Sequence, residues 1–302
     1  GGFDEAFQVE TYEDDDFCFR ALRNGCEFYI AEESIVFLKE RPSPFPNEPD
    51  WYLRRLAVNR SIASAKWGKD FSELWNETGR PITISLCMIV KNEEHTLARC
   101  LSSVQGIADE IVIVDTGSED RTKEVAARFT DKIYEFEWVN DFAAARNFAF
   151  SLATQEFIFW LDADDYLLPE DAEKLRRLKT NLPWPVDVVS MIYVLARDAR
   201  GRATSSLRRN RLVKRRRNFR WIGAVHEYLE VRGPTLNTDI EISHDRKHTQ
   251  TDRNLRIYEG MLRDGKPFTA RDRFYYANEL FDHGMWEKAA EQYEIFLGMN
   301  GW

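Results

Sequence analysis

The densest cluster of chemistry-bearing side chains is Asp162-Ala163-Asp164-Asp165, which follows the apolar run Phe157 to Leu161 and precedes a helix-like stretch near Pro169. Burying unpaired carboxylates is costly, so a strand that runs into three acids must deliver them to its open end or to something positive. Alternate carboxylates on a tight turn suit Mg²⁺ or Mn²⁺, which take one or two of their oxygens and leave other positions to water and phosphate. An isolated D-x-D equally serves to cap a following helix. Two further polar strand ends, Asn92-Glu93 and Asp115, tip the balance toward the metal.

Periodicity shows which elements carry these residues. From Ile82, "ITISLCMIV" is a continuous apolar run of strand length, "EEHTLARCLSSV" has apolar residues at helical spacing, and "EIVIVDTGSEDRT" is a second buried strand ending in Asp and Gly. "EDRTKEVAARF" is then an amphipathic helix, "KIYEFEW" a strand, "DFAAARNFAFSLA" a helix and "EFIFWL" a strand. This alternation predicts an α/β domain with a mostly parallel sheet and helices on both faces. Ligands of such sheets gather at the carboxyl ends of the strands, so the polar ends converge on one crevice. After Pro183, "VDVVSMIYVLA", "SLRRNRLVK" and "FRWIGAVHEYLEV" predict an antiparallel extension that covers this crevice. From about Thr251 the chain turns helical. The spacing of Tyr276, Ala277, Leu280, Gly284, Trp286, Ala289, Ala290 and Tyr293, with a break at His283-Gly284, predicts one helix-turn-helix repeat of the tetratricopeptide kind. One such repeat cannot bury its own face, which predicts further repeats in a longer chain.

Composition narrows the classes. A chain of 302 residues accommodates one large domain with a smaller one, or two. No apolar run reaches the roughly 18 residues of a membrane helix and no signal-peptide pattern opens the chain, so the expected location is cytoplasmic. The start at Gly-Gly-Phe-Asp, without Met, suggests a piece of something longer. A net charge of −9 argues against nucleic acid as a partner. The basic stretch from Arg197 to Arg220 is the exception; it fits the exposed face of a hairpin, or a cover over an anionic donor or acceptor. Cys18, Cys26, Cys87 and Cys100 show no zinc spacing and no disulfide framework.

Several chemistries fall away. A haloacid-type phosphatase needs its D-x-D early and followed by Thr or Val, whereas Tyr166 follows here on a late strand. A dinucleotide enzyme needs G-x-G-x-x-G where the sequence has "VKNEEH", and the Gly-rich, Arg-containing loop of nucleotidyltransferases is missing. What remains resembles the family-2 inverting glycosyltransferases with the GT-A (Rossmann-like) fold. The resemblance runs from about Ile82 to His244, through "SLCMIVKNEEHTLARCLSSV", "ADEIVIVDTGSEDRT", "DFAAARNFAF", "FIFWLDADDYL" and "GAVHEYLE" in the family's order. "DFxxARN", "VHE" and the repeat-bearing C-terminus are most similar to the branch with core-oligosaccharide glucosyltransferases and bacteriocin peptide S-glycosyltransferases.

The resemblance implies a nucleotide-diphosphate-sugar donor, expected to be UDP-linked, a divalent metal (Mn or Mg), and an acceptor glycan, lipid-linked glycan or peptide. It places Val90, Asn92, Glu93 and Asp115 at the nucleobase and ribose, with Asp115 otherwise a turn residue before Gly117. It places Arg146 at the diphosphate or sugar, and Asp164, helped by Asp162, on the metal. Glu227 is the candidate base that takes the acceptor's proton, with His226 lining the site; His244 approaches the metal or serves a structural hydrogen bond.

Residues 1–80 resemble the tail of a preceding domain of this family plus a linker: "GGFDEAF" and "YEDDDFCFRALRNG" are similar to its acceptor-side Glu-Asp motif and closing helix, although the usual His is missing near "IVFLKE". A second arrangement has Glu13 and Asp14 supplying the base. The expected division is thus 1–80, a glycosyltransferase domain over 81–250, and a truncated helical repeat over 251–302, through which a protein partner would dock. The competing functional class is a non-catalytic nucleotide-binding scaffold whose repeats recruit that partner.

Overall fold

The computed structural model describes residues 3–7, 12–24, 49–69, 80–183, 186–198, 200–245 and 251–299. The chain divides into two compact units, Gly1–Arg80 and Pro81–Trp302. In the first, α1 (Glu13–Arg23) opens with Glu13, Asp14, Asp15 and Asp16, where carboxylates complement the positive helix end. Helix α2 (Pro49–Trp67) closes at Gly68, whose φ of +77° suits a residue without a Cβ. The buried Asp16 accepts from Trp67 Nε1 at 2.9 Å and from Lys66 Nζ at 3.0 Å, and Phe7, Phe19 and Ala63 form the small core. The expected proline loop before Pro49 and the "IVFLKE" stretch lie outside the described residues.

The second unit is built on an eight-stranded sheet. Strands β1 (Ile84–Val90), β2 (Glu110–Asp115), β3 (Ile133–Glu135) and β4 (Phe157–Trp160) form its parallel half in the order β3-β2-β1-β4. Alternate residues of β1 point to opposite faces, and both faces are covered. Leu86, Met88 and Val90 pack with Leu97, Cys100 and Leu101 around α3 (Leu97–Ser103), a layer continued by short α4 (Thr122–Ala126). Cys87 shares the other core with Ala143 and Ala149 of α5 (Phe142–Ser151). Asp141 caps α5 by accepting from Ala144 N at 2.9 Å.

The rest of the sheet differs from the expected cover. Between β5 (Asp165–Tyr166) and the strands that follow runs α6 (Pro169–Thr180). Strands β6 (Val188–Arg197) and β7 (Ala203–Lys214) then join the same sheet, with β7 antiparallel to both β4 and β6. The run "VVSM" at the start of β6 is buried at every position, so it needs cover on both faces and cannot form a lid over a crevice. Beyond the hairpin β8 (Arg220–Ile222) and β9 (Tyr228–Glu230), β10 (Thr235–His244) returns parallel to β6 and pairs antiparallel with β5. Among the described residues, the β8–β9 hairpin stands apart as a second sheet, and its loop carries Val225-His226-Glu227. Of the basic stretch, Arg208 and its neighbours toward Ala203 are exposed, while Arg211 is fully buried.

The C-terminal helices are α7 (Arg253–Arg263), α8 (Ala270–Asp282) and α9 (Trp286–Leu297). A capping box between Thr269 and Asp272 starts α8, and the break before α9 falls at His283-Gly284, where Gly284 has φ +73°. The α8–α9 pair is the expected helix-turn-helix, tied by Tyr293 Oη donating to Asn278 Oδ1 at 2.6 Å. Leu255, Tyr258, Tyr276 and Leu280 of these helices share a core with Val225, Phe142 and Trp138 of the sheet part.

Candidate active site

A cavity of about 770 Å³ opens at the carboxyl ends of β1 and β4. Arg146, on the second turn of capped α5, lines it and is 8% exposed. Its Nη2 donates to Asp162 Oδ1 at 2.7 Å and its Nε to Glu227 Oε1 at 2.6 Å. The indoles of Trp160 and Trp221 lie 5.0 and 4.7 Å from the guanidinium carbon. Burial works against this charge, but Asp162 and Glu227 outweigh it and hold the guanidinium above its ordinary range. Burial likewise opposes the Asp162 carboxylate, and Arg146 and Arg211 hold its pKa below the usual value. One arginine thus joins the strand-end acid to the loop acid.

The D-x-D turn is anchored from behind. Asp165, completely buried, pairs with Arg211 Nη1 at 2.9 Å and accepts from Asp162 N at 3.1 Å. Arg211 lies 3.9 Å from the Trp160 ring and 4.5 Å from that of Tyr193, with Nε and Nη2 buried and lacking a hydrogen-bond partner. His244 Nδ1 is 3.4 Å from Asp164 Oδ1 and 3.3 Å from Asp165 Oδ1. Hydrogen bonds to Asp164 and Asp165 push its pKa up to about 10, so the imidazolium balances both acids. Asp164, Asp165 and His244 bring one ligand atom each within 4.8 Å of one another, an oxygen and nitrogen set that fits Mg²⁺ or Mn²⁺. Asp164 and His244 line the cavity; Asp165 is committed to Arg211.

At the other end, Val90, Asn92 and Glu93 line the cavity with Thr116. Asn92, at φ +56°, accepts from Glu119 N at 2.8 Å, and Glu93 accepts from Thr96 Oγ1 at 2.5 Å. Asp115 is 2% exposed. Its Oδ1 takes the turn role, accepting from Gly117 N at 2.9 Å and Ser118 N at 2.8 Å, while Oδ2 is buried with no hydrogen-bond partner. Asp115 is not among the residues that line the cavity; it ends β2 beside Thr116, which is. Glu13 and Asp14 belong to the first unit.

The cavity therefore gathers Val90, Asn92, Glu93, Arg146, Asp162, Asp164, His226, Glu227 and His244. Sequence reasoning missed Trp160 and Trp221 as the aromatic neighbours of Arg146, Arg211 as the anchor of Asp165, and Glu279, whose Oε1 lies 2.8 Å from His226 Nε2. Arg211 had one signal: a charge within a strand run that otherwise turns apolar at Leu212-Val213.

The cleft thus brings acidic strand ends together with an arginine, a histidine and a loop glutamate. Residues 85–229 match the family model for glycosyl transferase family 2. A TPR repeat-containing protein of Synechococcus elongatus is 37% identical over 147 residues, covering 49% of this chain and 35% of that protein. The SPbeta prophage-derived glycosyltransferase SunS of Bacillus subtilis is 28% identical over 212 residues, covering 66% of this chain and 49% of SunS. The chain thus matches half or less of the length of these relatives. Among solved structures, glucosyl-3-phosphoglycerate synthase from Mycobacterium tuberculosis, with Mn²⁺ and UDP-glucose, aligns at TM-score 0.43 and 14% identity, over 66% of this chain and 84% of that one. TarS of S. aureus with UDP-GlcNAc aligns at TM-score 0.38 and 13% identity, over 66% and 73%. Likeness at this level carries no functional information.

Proposed function

We propose that this glycosyltransferase moves a sugar from a UDP-linked donor to its acceptor with inversion, in the presence of Mn²⁺ or Mg²⁺, in the cytoplasm. The observation that carries the reading is the Arg146 bridge, which sets Glu227 in the same cleft as the D-x-D turn. The nucleoside lies toward Val90, Asn92 and Glu93, with Asp115 paired to Val90 at the end of β2. Asp164 and His244, the latter after giving up its Nδ1 proton, would hold the cation with help from Asp162, and the cation would offset negative charge on the diphosphate. Glu227 takes the proton from the acceptor's hydroxyl or thiol as that atom forms its bond to the anomeric carbon. The bond from that carbon to the β-phosphate oxygen breaks on the opposite face, and the nucleoside diphosphate leaves with the electron pair. His226 lines the acceptor side. The acceptor itself is a glycan, lipid-linked glycan or peptide, and residues 1–80 are the tail of a preceding domain of the same family.

A panel of nucleotide sugars, assayed for hydrolysis and transfer with Mn²⁺, Mg²⁺ or chelator, tests this directly. Asp164→Ala is expected to abolish both reactions while circular dichroism shows an unchanged fold. Activity indifferent to chelator, or an active Asp164→Ala enzyme, would refute the metal-dependent reading.

A further inference from the structure

The C-terminal helices reach into the cavity: Arg253, Asn254, Arg271 and Tyr275 line it beside residues of the sheet. Their contacts converge on one short peptide. His226 has φ +50°, a left-handed conformation that residues with a Cβ hold only when their surroundings over-determine it. Glu279 Oε1 of α8 lies 2.8 Å from His226 Nε2 and also accepts from Asn254 Nδ2 of α7 at 3.0 Å. Arg271 Nη2 donates to the His226 carbonyl at 3.0 Å. The imidazole stacks on Tyr275 with ring centroids 4.2 Å apart and planes 14° from parallel. Beneath it, Val225 is 3% exposed in the core shared with Leu255, Tyr258 and Leu280.

Glu227, the next residue, is held from the sheet side by Arg146 at 2.6 Å. The peptide is therefore gripped from two directions, by α5 at Glu227 and by α7 and α8 at His226. Burial opposes the Glu279 charge, but the hydrogen bonds from His226 and Asn254 hold its carboxyl below the usual range. An ionised carboxylate only accepts, so the hydrogen it faces is on Nε2. We propose that Glu279, with Asn254 and Arg271, is a positioning residue of the transfer reaction: the helical repeat fixes the backbone and ring of His226 and so aims Glu227 at the acceptor. In this arrangement the repeat is a wall of the active site. The proposal rests on the reading of His226 and Glu227 given above.

The test uses the full chain with Glu279→Ala and Glu279→Gln. Turnover in Glu279→Ala is expected to fall at least about tenfold with donor KM within about twofold, because Asp115, at the end of β2, and Asp162 and Asp164, on the turn between β4 and β5, lie on elements other than α8. Glu279→Gln restores part of the loss, since its amide oxygen still accepts from Nε2–H. Leu297→Ala, at a side chain 78% exposed on α9, leaves turnover unchanged. A readout independent of turnover is the ¹⁵N signal of His226 Nε2–H, assigned among the five histidines by its loss in His226→Ala. It is expected to persist in the wild type and to vanish in Glu279→Ala. Wild-type turnover in a folded Glu279→Ala, or an unchanged Nε2–H signal there, overturns the proposal. If instead the wild type transfers no sugar from any donor while the signal still depends on Glu279, the functional reading has failed and the role in transfer fails with it, although the contact stands.

Discussion

Arg146 holds Asp162 through Nη2 and Glu227 through Nε, beside the edge-to-face pair Trp160 and Trp221, so its guanidinium plane leaves little freedom to either carboxylate. Glutamine at position 227 keeps the size and an oxygen for Arg146 Nε but cannot take a proton. Glu227→Gln is therefore expected to lower transfer by about 10²- to 10⁴-fold while donor affinity, measured by calorimetry with UDP and Mn²⁺, barely changes. Transfer at the wild-type rate in that variant, with Glu13→Gln or Asp14→Asn inactive, would move the base to the first unit.

Glu110 shows what holds the sheet elements together. From the first residue of β2 it accepts from Thr154 N at 2.8 Å, from Thr154 Oγ1 at 3.0 Å and from Lys132 Nζ at 2.5 Å, and it also takes the Ser85 hydroxyl of β1. Burial opposes its charge, but these donors pull its pKa from 4.5 to about 2. A carboxyl depressed in the folded state stabilises it above the unfolded pKa, and that contribution is lost as pH falls from about 4.5 to about 2. Glu110→Gln is accordingly expected to cost about 3 kcal/mol at pH 7, read from urea unfolding, with the difference from wild type closing as the pH approaches 2. A difference that stays constant across this window would show that the network stabilises by packing alone.

At the scale of the second unit, one apolar core spans sheet and repeat, and Phe142 N donates to Ala224 O at 2.9 Å beside it. Removing the repeat would strip Val225 of its cover. Exposing that side chain alone forfeits about 1.5–3 kcal/mol, before the lost grip on His226 is counted. A chain ending at residue 250 is expected to melt at lower temperature than the full chain, to bind a hydrophobic dye and to lose transfer. An unchanged melting temperature would mean that the two parts share no stability. No helix among the described residues is long and apolar enough to cross a membrane.

Local signals were enough for the parallel half of the sheet, because a strand buried on both faces is apolar at nearly every position and a strand end facing a ligand is abruptly polar. "SLCMIV" before Asn92, "IVIV" before Asp115 and "FIFWL" before Asp162 each carry that pattern within a few residues. The ordered motifs added the family, and the α8–α9 break was legible from Gly284. What only the tertiary structure decided were pairings between segments far apart in the chain. Arg146 meets Glu227 across 81 residues, Arg211 lies behind the D-x-D turn, and Glu279 reaches His226 across 53 residues. A salt bridge leaves no periodic trace in either partner's neighbourhood, and a basic residue within a polar strand looks the same whether it faces water or a buried aspartate. The placement of β6 and β7 in the main sheet was hidden for a related reason: an antiparallel strand pair has the same local pattern whether it extends a sheet or lies over it, and only the cores available on each face choose between the two.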